Sequence, residues 1–120
     1  MIKARSLAVC TLLAGALAFP AIAHAADQTG EAGTVRLEVL SPSAEAYVQY
    51  HGRVFVTSGK RTLEYRWGGT SCGSKVITNE MVTGLAEVAT GSSKIAPIYS
   101  SGAGSNKCLV GYSIVPGKGN

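Results

Sequence analysis

Acid–base chemistry in this chain would fall to two glutamates, Glu38 and Glu64, and to His51. Each glutamate stands two residues from an arginine in an alternating stretch, Arg36 beside Glu38 and Arg66 beside Glu64. If the two strands are neighbours, the carboxylates could imitate the acid and base of a glycosidase. His51, next to Gly52, could serve as a ligand or a pH-sensitive contact. The plainer reading is favoured: each glutamate shares a face with its arginine, which marks a solvated salt-bridging position, and a lone histidine at a bend is ordinarily solvated. A Ser-His-Asp site would need an aspartate, and the one available, Asp27, lies in a short stretch of small and polar residues without periodicity. A cysteine nucleophile needs a free thiolate beside a base, and it disappears if Cys72 and Cys108 are bridged. No group of His, Cys and carboxylate residues falls at metal-ligand spacing. Gly68-Gly69 follows a strand but lacks the further glycines and the Lys-Ser/Thr of a phosphate-binding loop. The expectation is therefore a protein without catalytic residues, metal or cofactor.

Recognition is better served. Tyr65-Arg66-Trp67-Gly68-Gly69 sets an arginine between two aromatics at the edge of a flexible loop, and Trp, Tyr and Arg dominate binding hot spots. Alternation tempers this, because Tyr65 and Trp67 share the buried face with Leu63 and leave Arg66 pointing outward alone. Lys60-Arg61, the one adjacent basic pair, forms a second candidate contact in a turn.

These residues sit in a chain of 120 that opens with an address label. Lys3 and Arg5 form a basic head, Leu7 to Phe19 an apolar run, Pro20 ends it, and Ala23-His24-Ala25 offers small residues for signal peptidase. Residues 1–25 read as a cleaved secretory signal peptide. Val9 before Cys10 does not suit a lipoprotein signal, and 13 apolar residues are too few for a retained anchor, which needs about 20. Without Lys3 and Arg5, nine basic residues face seven acids, a net charge of +2. No basic stripe is present, which argues against a nucleic-acid partner.

Export leaves two cysteines, Cys72 and Cys108, in an oxidising compartment, where a disulfide is expected. A loop of this length contributes about 3.5–4 kcal/mol in chain-entropy terms, useful to a domain that buries only about 60–65% of its unfolded surface.

The elements follow from periodicity. Residues 26–33 carry no period and read as a flexible arm, with one globular domain over 34–115 and a loose tail over 116–120. Val35, Leu37 and Val39 alternate with Arg36 and Glu38 as a half-buried strand. Residues 46–50 and 53–57 read as a hairpin or as one strand bent at Gly52. Residues 58–61 form a turn, and Leu63, Tyr65 and Trp67 mark the next strand. Residues 68–73 read as a loop. Ile77, Met81, Leu85 and Ala89 recur every four residues as the apolar stripe of a helix, with Thr78 or Asn79 as N-cap and Gly91 as stop. Residues 94–100 form a strand that Pro97 assigns to an edge or a bulge, and 107–115 form a closing strand with Cys108, Val110, Tyr112 and Ile114 on one face.

The expected fold is α+β: a mostly antiparallel sheet of five to six strands, one helix on one face and one disulfide. The expected function is that of a small exported, periplasmic or secreted bacterial protein that binds another macromolecule, an envelope component or an enzyme it inhibits, as a monomer or weak oligomer. A small secreted hydrolase using carboxylates is one alternative. A structural envelope subunit pairing through the 94–100 edge is the other.

Overall fold

The computed structural model describes residues 26–117. The leader expected over residues 1–25 and the end of the tail, residues 118–120, lie outside the described residues. The described residues fold into six strands, two α-helices and one 3-10 turn: β1 (Gln28–Thr29), β2 (Thr34–Val39), the 3-10 turn Glu45–Val48, β3 (Gly52–Ser58), β4 (Arg61–Trp67), α1 (Gly69–Cys72), α2 (Asn79–Thr90), β5 (Lys94–Ser101) and β6 (Lys107–Val115). The strands form one mixed sheet in the order β1-β5-β6-β4-β3-β2. All pairs are antiparallel except β4–β6, where Arg66 sits opposite Cys108 in parallel register. This is the expected α+β fold with a mostly antiparallel sheet.

The alternating stretches become strands whose two faces differ. Val35 and Leu37 of β2, Val54 and Val56 of β3, and Leu63, Tyr65 and Trp67 of β4 point to one side, where they meet Ile95, Leu109, Tyr99 and Tyr112 and the apolar stripe of α2. Leu85 of α2 is fully buried in this core, flanked by Ile77 and Val88. Full burial of a Leu or Val side chain is worth about 1.5–3 kcal/mol, so the sheet gains most from this one layer. Thr78 caps the helix, accepting a hydrogen bond from the Met81 N–H at 3.1 Å. Trp67 packs against Gly52 in the β3–β4 pair, where a Cβ would overlap the indole. The β3–β4 hairpin closes through Gly59–Lys60, with Gly59 at φ 63°.

Five local expectations change. Residues 46–50 do not form a strand: 45–48 wind into a 3-10 turn, stitched by Tyr47 N–H to the Ala44 carbonyl and Gln49 N–H to the Ala46 carbonyl, and β3 begins only at Gly52. Of the apolar residues there, Tyr50 is buried while Val48 is exposed, so the segment does not present the single buried face of a strand. The segment expected as a loop over 68–73 contains the one-turn helix α1, entered through Gly68 and Gly69 at φ 74° and 68°. The arm expected over 26–33 joins the sheet. Gln28 and Thr29 pair with Tyr99 and Ile98, Gly30 N–H donates to the Pro97 carbonyl, and Gly33 exchanges both backbone hydrogen bonds with Ile95. Backbone hydrogen bonds need no side-chain period, so the sequence carries no trace of them.

The same pairing occupies the strand edge that 94–100 was expected to offer. Residues 28–39 run from β5 across to β3, so the sheet closes upon itself through this one segment. Pro97 lies beside a bulge, as one of its two expected settings required: Ile98 faces Gly111 and Tyr99 faces Leu109, leaving Val110 unpaired. An unpaired residue inverts side-chain phase along β6. The expected face of Cys108, Val110, Tyr112 and Ile114 is therefore broken. Leu109 and Tyr112 face the core, Cys108 faces the opposite side, and Ile114 is exposed.

Candidate binding surfaces

The sheet face away from α2 is polar, and the register of three strands builds it. Arg36 and Glu38 of β2 lie opposite Phe55 and Arg53 of β3, which lie opposite Glu64 and Arg66 of β4. Glu38 and Glu64 are thus not on adjacent strands, and Arg53 between them holds both, at 2.6 Å to Glu38 and 3.0 Å to Glu64. Arg66 pairs with Glu64 at 2.7 Å and reaches the Ser71 hydroxyl of α1 at 3.0 Å. Glu38 finds its ion-pair partner across the strands rather than in Arg36 two residues away.

Aromatics complete this array. Arg36 stacks over the Phe55 ring at 4.0 Å, Arg53 over Phe55 and Tyr50 at 4.9 Å each, and Arg66 over Tyr50 at 4.5 Å. The Tyr50 hydroxyl donates to Glu38 at 3.2 Å. Guanidinium over an aromatic face is attractive by about 0.5–2 kcal/mol, depending on desolvation. The disulfide fastens the edge of this face. Cys72 of α1 joins Cys108 of β6 with Cα atoms 5.7 Å apart, which pins α1 beside Arg66.

The electrostatics suit ion pairing. The hydrogen bond from Arg53 holds the Glu38 carboxyl below its ordinary range, against a smaller opposing effect of burial. Burial pushes Glu64 up, but the hydrogen bonds from Arg66 and Arg53 outweigh it and leave the group lowered. The Arg53 guanidinium is raised, first by its bond to Glu38. Burial is also the main reason that the Tyr50 phenol is raised.

The residues singled out from the sequence part company here. Tyr65 and Trp67 are core residues, 1% and 4% exposed, and Arg66 alone of that triplet faces the polar array. Gly68 packs against the His51 imidazole and Gly69 against the Gln49–Tyr50 backbone, so neither has room for a side chain. His51 stacks on Tyr47 with ring centroids 4.2 Å apart. Lys60 stands exposed in the hairpin turn, while Arg61 lines a cavity of about 500 Å³ on the other side of the sheet, with Lys107, Tyr99, Leu63 and, from within, Tyr65.

Four contributors to the polar array were not selected from the sequence: Arg36, Tyr50, Arg53 and Phe55. Arg53 and Phe55 alternate with buried Val54 and Val56, which was the available signal, but only the register sets them against Glu38 and Arg36. Tyr50 was assigned to a strand that does not exist. Among the described residues no helix is long and apolar enough to cross a membrane. Set against known proteins, the chain matches no family model, no curated protein and no solved structure.

Proposed function

We propose that this protein works by binding another macromolecule, an envelope component or an enzyme it inhibits, in the periplasm or outside the cell. The observation that carries the reading is the array of Arg36, Phe55, Arg53 and Arg66, with Arg53 and Arg66 held over the ring of the buried Tyr50. Arginine and aromatic side chains supply most hot spots, and here ion pairs and stacking already hold them in place, which reduces the ordering entropy that association must overcome. The two carboxylates best placed for chemistry support the same reading. A general acid needs a raised pKa, whereas Glu38 and Glu64 are held low in arginine cross-links. The disulfide suits an oxidising compartment.

The test is affinity capture from the protein's own cells with the immobilised oxidised protein, followed by titration of the recovered partner against wild type and an Arg36→Ala, Phe55→Ala variant. These residues face away from the core, so the variant should keep the near-ultraviolet circular dichroism of the wild type. Saturable binding that falls at least about tenfold in the folded variant, a loss of roughly 1.4 kcal/mol, supports the reading. No saturable partner, or equal affinity of the variant, overturns it.

A further inference from the structure

We infer that the cavity between β1, the β3–β4 hairpin and the start of β6 is a binding site for an organic monocarboxylate with an apolar body. This goes beyond the macromolecular reading: the cavity is built from the core side of the sheet, whereas Arg36 and Phe55 belong to the opposite face. Its volume of about 500 Å³ falls within the range of small-molecule sites.

Three observations select the ligand. The first is Tyr65, which is 99% buried yet lines the cavity. Its hydroxyl makes no hydrogen bond among the described residues, although its neighbour Tyr99 donates to the Gln28 amide oxygen at 3.3 Å. The hydroxyl is not sealed from solvent, unlike the unpartnered and fully buried Ser100 Oγ, and as part of the lining it is free to bond a ligand in the cavity.

The second is charge. Arg61 and Lys107 line the cavity, and neither forms a salt bridge among the described residues. Glu31, exposed at the rim, is the one acid in the lining, which leaves a net charge of +1 and suits a monoanion better than a phosphate dianion. A carboxylate can take the planar guanidinium fork of Arg61 together with a phenolic O–H. The third is the wall. Val56, Leu63 and the Tyr65 and Tyr99 rings, centroids 5.2 Å apart, present apolar surface to the remainder of the ligand.

Such a carboxylate can arrive as a free acid or as the C-terminus of a chain that ends in an apolar residue. The test is titration of the full oxidised protein, followed by NMR, with octanoate, with octanol, with inorganic phosphate, and with a leucine-terminated tetrapeptide as free acid and as amide. The expected result is saturable binding of octanoate or of the peptide acid. The uncharged counterpart should bind about tenfold more weakly, with a similar loss in Arg61→Ala and a smaller one in Tyr65→Phe, which keeps the core ring. Glu31→Gln should tighten it. The stronger of the two acids then assigns the source, and either supports the site. Absence of saturable binding by both acids, equal binding by octanol, tighter binding of phosphate, or indifference to Arg61→Ala overturns the inference. Because Arg36 and Phe55 are intact in all these proteins, failure here leaves the capture result standing.

Discussion

Arg53 joins three strands through two carboxylates and two aromatic rings, so its removal exposes what the array contributes. Arg53→Ala leaves Glu38 and Glu64 without their shared counter-ion, and about 1–2 kcal/mol of stability should be lost in urea unfolding. The pH dependence has a definite sign. Both glutamates have lower pKa values folded than unfolded, so their contribution is complete above the ordinary carboxylate value near 4.5 and disappears as pH falls below it through the folded values. Wild-type stability should therefore drop between about pH 5 and pH 3, and Arg53→Ala should drop less over the same interval. An equal slope in both proteins would show that other groups govern acid unfolding. The same residues show how far the sequence reaches. The alternation of Arg36 with Glu38 and of Glu64 with Arg66 identifies a charged face, since side-chain direction is local. The partner of each glutamate depends on register.

Helix α2 and strand β6 meet at Gly84, whose position near mid-helix would ordinarily cost about 1 kcal/mol relative to alanine. Here a Cβ would run into the Tyr112 hydroxyl, which donates to the Met81 carbonyl at 2.7 Å. Gly84→Ala alone should give no gain in thermal stability, while in a Tyr112→Phe background the same change should recover most of that 1 kcal/mol. Gly33 plays a comparable role at the sheet closure, where a Cβ would strike the Thr57 carbonyl. Because that obstacle is backbone, Gly33→Ala should destabilise by about 1–3 kcal/mol and raise amide exchange at Ile95. Amide exchange unchanged at Ile95 would mean that the 28–33 segment does not hold β5 in place.

At the scale of the whole molecule, a small sheet with one helix depends on its cross-link. The Cys72–Cys108 bridge closes a separation of 36 residues and ties α1 to the strand beside β4. Cys72→Ala, Cys108→Ala should lower the unfolding free energy by about 2–4 kcal/mol and loosen Arg66, whose Ser71 contact rides on α1. Denaturant midpoints of oxidised and doubly substituted protein, compared at equal m-value, measure this directly. A difference under about 1 kcal/mol would show that packing alone sets the fold.

By itself the sequence determined the strands from 53–57 and 63–67, the capped helix after Thr78, the burial of Tyr65 and Trp67 and the pairing of the cysteines. Each follows from side-chain direction along a regular backbone or, for the cysteines, from their number once export is expected. Tertiary structure alone decided that Arg53 stands between Glu38 and Glu64, that Val110 bulges and turns Cys108 toward α1, that residues 28–33 close the sheet, and that Arg61 and Lys107 line one cavity with Tyr65. These arrangements depend on which strand lies beside which and in what register. Backbone hydrogen bonds are blind to side-chain identity, so the pairings they complete leave no local mark in the sequence.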